Sequence, residues 1–84
     1  MKNSDILKLL QKLHRMRHKP DLHSFKAKIK DGLAYVEAQW DGFYVEFFTY
    51  DAEGNETRES WTGSTAATAW ELERRGLDLA TVET

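Results

Sequence analysis

Positively charged side chains at the start of the chain are the first residues whose types suggest a ligand. Residues 1–30 contain nine Lys or Arg against two Asp, whereas residues 31–84 contain three Arg against twelve Asp or Glu. Helical spacing places four of the cations on one face, and others alternate along the next strand. Cations in this pattern neutralise phosphates, which predicts a nucleic-acid surface. Its residues are Lys8, Lys12, Arg15, Lys19, Lys26 and Lys28.

A solvated, lysine-rich surface is the competing interpretation of the same cations. Lysines on the outside of a helix keep a protein soluble, and lysines on an edge strand protect it from pairing with other chains. The net charge of −2 favours this interpretation over a dedicated nucleic-acid protein.

Aromatic side chains in the middle of the chain form the second candidate site. They alternate along predicted strands and are expected on the sheet face that points away from the helices. An exposed aromatic patch is typical of a protein interface, and acidic neighbours such as Glu37 and Glu46 would repel a phosphate backbone. The alternative is that the C-terminal tail or a second copy of the chain covers this face. The predicted interface residues are Tyr35, Tyr44, Phe48, Tyr50 and Arg58.

Histidines and paired carboxylates give weaker evidence of a functional site. His14 and His18 are four residues apart, a spacing that can place two imidazoles on one metal. The neighbouring Arg and Lys residues disfavour a cation there, so we expect no metal site and no cofactor. Glu37 and Glu46 are expected side by side, where such a pair supports acid–base chemistry only within a pocket. Because no pocket or nucleophile pattern accompanies them, we expect no enzymatic activity.

Two helices and four strands must position these residues. A 3, 4 spacing of apolar residues predicts a helix over about 4–18, which Pro20 ends. Turn signals at Asp31-Gly32, Asp41-Gly42 and 51–55 separate strands over about 23–30, 33–40, 43–50 and 56–62. A second helix over about 65–75 begins at Ser64 or Thr65, ends at Gly76 and is anchored by Trp70. The prediction is a single α+β domain, 1–84, with the order α-β-β-β-β-α, both helices on one face of an antiparallel meander, and a docked C-terminal tail.

Placing both Asp-Gly pairs in two-residue loops also predicts the strand registers. The inward rows become Phe25-Ala38-Val45-Trp61, Ala27-Val36-Phe47-Glu59 and Ile29-Ala34-Thr49-Thr57. The outward rows become Lys26-Glu37-Glu46-Ser60, Lys28-Tyr35-Phe48-Arg58 and Lys30-Leu33-Tyr50-Glu56. The inward Glu59 is either a guard against strand addition or a sign that the last register is wrong by one.

Composition narrows the functional classes. The chain has no cysteine, no apolar run approaching a membrane span and no apolar block of a signal peptide, so we expect a cytoplasmic protein without membrane contact. Small cysteine-free domains are common among bacterial, phage and plasmid accessory proteins that occlude a larger partner. We therefore expect a non-catalytic protein-binding module, an inhibitor or an adaptor. A nucleic-acid-binding domain is the alternative, and a homodimer remains open.

Overall fold

The computed structural model describes residues 3–19 and 23–83 as two helices and a four-stranded antiparallel sheet. The sheet has the order β1-β2-β3-β4, and both helices pack against one of its faces, which confirms the predicted α+β meander. The elements are α1 (Asn3–Arg15), β1 (Ser24–Ile29), β2 (Gly32–Gln39), β3 (Gly42–Tyr50), β4 (Glu56–Gly63), α2 (Thr65–Arg74) and a short 3₁₀ turn (Leu79–Thr81).

The hydrophobic core lies between the helices and the inner sheet face. Helix α1 buries Ile6, Leu10 and Leu13, the residues that its 3, 4 spacing places on one side. Strands β1 and β2 alternate buried and more exposed residues, so each strand presents one face to the core. Helix α1 ends at Arg15 and continues as turns, three residues before the predicted end near His18. Pro20 lies outside the described residues.

Two of the three predicted registers are wrong by two residues. Gly32 lies opposite Ile29, and Gly42 lies opposite Gln39, so the loops are residues 30–31 and 40–41. Both glycines belong to the following strands. Gly32 does not adopt a positive φ. It is needed because the β3 backbone approaches closely, and a Cβ there would lie 1.8 Å from the Phe48 carbonyl oxygen.

The corrected registers change the outward rows. Lys26 lies opposite Tyr35 rather than Glu37, and Glu46 completes that row. Glu37 lies opposite Tyr44, so the expected contact between two carboxylates is replaced by two Tyr–Glu pairs. The rows across β1 to β4 are Lys26-Tyr35-Glu46-Ser60, Lys28-Leu33-Phe48-Arg58 and Ser24-Glu37-Tyr44-Thr62.

The register between β3 and β4 is the predicted one, and the inward Glu59 has a partner. Glu59 lies opposite Phe47 and forms an ion pair with Arg75 at the end of α2. The Arg75 guanidinium also lies 4.1 Å from the centroid of the Phe47 ring. A cation stacked on a buried ring neutralises the inward charge, which explains a carboxylate on this side of an edge strand.

Helix α2 has its predicted ends but a different buried side. The Ser64 hydroxyl accepts a hydrogen bond from the Ala67 amide at 3.2 Å, and Gly76 leaves the helix with a φ of +74°. Trp70, predicted as the anchor, is 67% exposed. The buried residues are Thr68, Ala69 and Leu72. The Thr68 hydroxyl donates to the Ser64 carbonyl oxygen at 2.6 Å, which satisfies its polar group inside the core.

The C-terminal segment, residues 77–83, runs along the open edge of β1. Leu77 is buried, and the Asp78 amide donates to the Lys28 carbonyl oxygen at 2.9 Å. Lys26 and Glu83 exchange two backbone hydrogen bonds, at 2.9 and 2.8 Å. Because the segment lies beside β1, it covers an edge of the sheet and leaves the face opposite the helices open.

Candidate functional site

The sheet face opposite the helices, called the outer sheet face below, is a shallow concavity of about 680 Å³. Its walls are aromatic and aliphatic side chains from β2 and β3, and its charged groups are three carboxylates and one ammonium. Apart from Ala34, which is itself a core residue, the side chains that line it alternate with the core residues of the same strands, so burial of the inner face fixes this arrangement. The lining residues are Lys26, Leu33, Ala34, Tyr35, Glu37, Tyr44, Glu46, Phe48, Tyr50 and Glu56.

Two tyrosines and two glutamates form a square at the centre of this face. Tyr35 and Glu37 lie on β2, and each pairs across the strands with the opposite residue type on β3, Glu46 and Tyr44 respectively. The Tyr35 hydroxyl donates to Glu37 Oε1 at 2.7 Å, and the Tyr44 hydroxyl donates to Glu46 Oε1 at 2.7 Å. Each phenol therefore fixes the orientation of the carboxylate two residues along its own strand.

The raised pKa values of Tyr35 and Tyr44 keep their hydroxyls protonated as hydrogen-bond donors. Burial raises the pKa of Tyr35, and the hydrogen bond to the Glu37 carboxylate raises it further. The hydrogen bond to Glu46 is the main cause that raises the pKa of Tyr44. Both hydroxyls therefore stay protonated at neutral pH and hold the carboxylates in place.

Two basic side chains, Arg58 and His23, approach these carboxylates without a direct hydrogen bond. The Arg58 Nε lies 3.7 Å from Glu46 Oε2, and its guanidinium carbon lies 5.1 Å from the centroid of the Phe48 ring. His23 Nε2 lies 4.0 Å from Glu37 Oε1. Both distances exceed the range of a direct hydrogen bond, so neither side chain uses a hydrogen-bonding position of these carboxylates.

The predicted interface residues lie together on this face. Tyr35, Tyr44 and Phe48 are half-buried, whereas Tyr50 is exposed at the end of β3. Arg58 adjoins the concavity from β4 through its contacts with Phe48 and Glu46.

The predicted basic residues lie on separate surfaces rather than on one. Lys8, Lys12 and Arg15 are exposed on the side of α1 away from its buried stripe, and Lys19 follows the end of that helix. Lys26 and Lys28 alternate with the buried residues of β1, so they point to the outer sheet face, across the sheet from α1. This alternation divides the basic surface that the sequence suggested.

His14 and His23 have separate neighbours. His14 Nε2 donates to the Trp40 carbonyl oxygen at 3.3 Å, and its ring centroid lies 5.7 Å from that of Phe43. His23 Nδ1 donates to the Lys19 carbonyl oxygen at 3.0 Å. Within residues 3–19 and 23–83, no group of three His, Asp or Glu side chains is placed to hold a metal ion. No helix in the same ranges is long and apolar enough to cross a membrane.

Two features of the site were missed in the sequence. The tripeptide Tyr-Val-Glu occurs twice, at 35–37 and 44–46, and antiparallel pairing of the two copies through Val36 and Val45 produces the Tyr–Glu square. That repeat was a readable signal. Trp40, 72% exposed, stacks with Arg17 at 4.8 Å between the ring centroid and the guanidinium carbon. No sequence spacing connects these two residues, which lie in the turn after α1 and in the loop between β2 and β3.

No protein-family model, curated protein or solved structure matches the chain. Function is therefore inferred from the residues and their geometry alone.

Proposed function

We propose that the protein is a non-catalytic binding module that docks a larger protein partner on its outer sheet face. The observation that carries the proposal is the concavity itself, an aromatic surface that no described segment of the chain covers. Tyrosine and phenylalanine contribute large apolar contact areas at low entropic cost, and an apolar centre with a polar rim is the usual anatomy of a protein interface. Glu37, Glu46 and Glu56 give this interface its electrostatic selectivity.

An inhibitor or adaptor role follows from the size of the module and the position of the face. Within the described residues the concavity spans β2 and β3 and reaches Lys26 and Glu56 on the strands to either side, and a partner seated there would have its own surface occluded. The same proposal includes a phage or another mobile genetic element as the source of the protein.

A pair of matched double variants tests which surface binds. Tyr35→Ala with Phe48→Ala removes two rings from the outer sheet face, and Lys12→Glu with Arg15→Glu reverses charge on α1. Wild type and both variants are immobilised and exposed to a nuclease-treated lysate of the native host, and the retained proteins are quantified by mass spectrometry. Thermal unfolding shows whether each variant remains folded.

We call Lys12→Glu with Arg15→Glu the α1 variant and Tyr35→Ala with Phe48→Ala the outer-face variant. We expect that a protein retained by wild type and by the α1 variant is not retained by the outer-face variant. Equal retention by all three would refute the proposal. A solution mass of twice the monomer at micromolar concentration, lost in the outer-face variant, would instead assign the face to a homodimer.

Nucleic-acid binding through α1 is the second candidate, and one observation favours it. Lys8, Lys12 and Arg15 are exposed, and within the described ranges none of them forms an ion pair with a carboxylate. Free cations along one helix face can release counterions from a phosphate backbone. A gel shift that weakens steeply with salt and disappears in the α1 variant would support this function. Unchanged mobility of the nucleic acid at low salt would refute this second function.

A further inference from the structure

The concavity on the outer sheet face is lined by more carboxylates than cations, and its aromatic walls suit a flat cation. Lys28 and Arg58 lie on the same sheet face but are not among the residues that line the concavity. Among the charged residues that line the concavity are Glu37, Glu46 and Glu56 against the single ammonium of Lys26. The Glu37 and Glu46 side chains are only 30% and 22% exposed. Carboxylates removed this far from water lose part of their hydration. A cation from a partner compensates for part of that loss by pairing with them.

Both carboxylates retain unused hydrogen-bonding capacity. A carboxylate offers about four lone-pair directions, and within the described part of the chain each of the two accepts one hydrogen bond, from a tyrosine hydroxyl. The nearest basic side chains, His23 and Arg58, lie 4.0 and 3.7 Å away. The remaining oxygen positions are thus available to a donor from outside.

Arg58 shows how this face holds a guanidinium. Its planar group lies over the Phe48 ring and beside Glu46, which combines stacking with charge attraction. The side chain is 64% exposed, so the contact is loose. On the other half of the face, Glu37 also has a tyrosine donor on its own strand and a tyrosine, Tyr44, opposite. No guanidinium lies beside it, and its nearest basic group is the His23 imidazole.

We propose that the occupant of the outer sheet face is a protein segment that presents arginine, whose guanidinium binds Glu37 between Tyr35 and Tyr44. This inference rests on the proposed protein-docking function and adds the chemistry of the partner. Arginine fits because its fork of donors matches a carboxylate while its plane stacks on aromatic rings.

An arginine peptide and its citrulline counterpart test the proposal. Acetyl-Gly-Ser-Arg-Ser-Gly-amide and the same peptide with citrulline, which is neutral but similar in shape, are titrated into ¹⁵N-labelled protein. Two variants are compared with wild type. Glu37→Gln with Glu46→Gln keeps acceptors for both tyrosines but removes both charges. Asp41→Asn with Glu53→Gln removes the same charge from exposed loops and serves as the matched control.

The arginine peptide should bind wild type about tenfold more tightly than the citrulline peptide, as expected for charge-assisted hydrogen bonds. Its amide shifts should cluster at residues 35–37 and 44–46. The preference should disappear in the Glu37/Glu46 variant and persist in the loop variant. Equal binding of both peptides, or shifts located on α1, would overturn the proposal. If lysate capture still depends on Tyr35 and Phe48 in that case, protein docking stands and the arginine assignment alone fails.

Discussion

The close approach of β2 and β3 at Gly32 gives a sharp test of the strand register. A Cβ at this position would lie 1.8 Å from the Phe48 carbonyl oxygen, whereas ordinary contact begins at 3.4 Å. The Gly32→Ala variant must therefore separate the two backbones by about 1.6 Å at this point. Overpacking of this kind costs about 1–3 kcal/mol. Loss of a neighbouring ladder hydrogen bond adds about 1 kcal/mol.

Reduced entropy of the unfolded chain offsets up to about 1 kcal/mol of that cost. The net destabilisation of Gly32→Ala should be about 1–4 kcal/mol. Its midpoint of about 2.5 kcal/mol lowers the Tm of a domain this size by about 10–20 °C. Gly54→Ala is the matched control. Gly54 has a φ of +84° but no atom within 4 Å of its added Cβ, so only the backbone preference of about 1 kcal/mol is lost.

Urea and thermal unfolding of the two variants decide whether Gly32 is required by the close approach of β3 or by a positive φ. If Gly32 were a positive-φ turn residue, as the Asp31-Gly32 pattern suggests, both substitutions would have similar effects. A Gly32→Ala protein as stable as Gly54→Ala would therefore refute the observed close approach. Because the same register places Tyr35 opposite Glu46, it would also remove the geometry of the candidate site.

Further predictions concern α2 and the C-terminal segment. Leu72→Ala should cost about 2–5 kcal/mol because Leu72 is fully buried, whereas Trp70→Ala should cost less than about 0.5 kcal/mol, both measured by urea unfolding. Thr81→Val removes the hydroxyl that accepts a β1 amide at 2.8 Å and should cost about 1 kcal/mol, with Thr81→Ser close to wild type. The hydrogen bond from Arg74 lowers the pKa of Glu71, so this carboxylate stabilises the fold when ionised. The unfolding free-energy difference between wild type and Glu71→Gln should be present at pH 7 and shrink as pH falls below about 4.

Local sequence patterns predicted the elements because each element has a strong local cause. The 3, 4 spacing in α1, the serine cap of α2 and the left-handed glycines at 54 and 76 all act within a few residues. The grouping of aromatics on one sheet face followed from strand alternation alone.

Register and long-range contacts were less predictable because they depend on distant atoms. The Asp-Gly pairs looked like two-residue loops, yet the β3 backbone requires Gly32 inside β2. Trp70 looked like an anchor because large apolar residues are usually buried, but the buried residues of α2 are Thr68, Ala69 and Leu72. The partner of Glu59 is Arg75, sixteen residues away, and no local pattern links them.

Site-specific photo-crosslinking in the native host tests most directly whether the outer sheet face docks a protein. A photoreactive phenylalanine is placed at Tyr50, on the rim of the concavity, and in a second variant at Lys12, on the exposed side of α1. We expect a covalent adduct with a single larger protein from the Tyr50 position, absent or much weaker from the Lys12 position. An adduct from Lys12 alone, or none from Tyr50, would contradict the assignment of the outer sheet face as the docking surface.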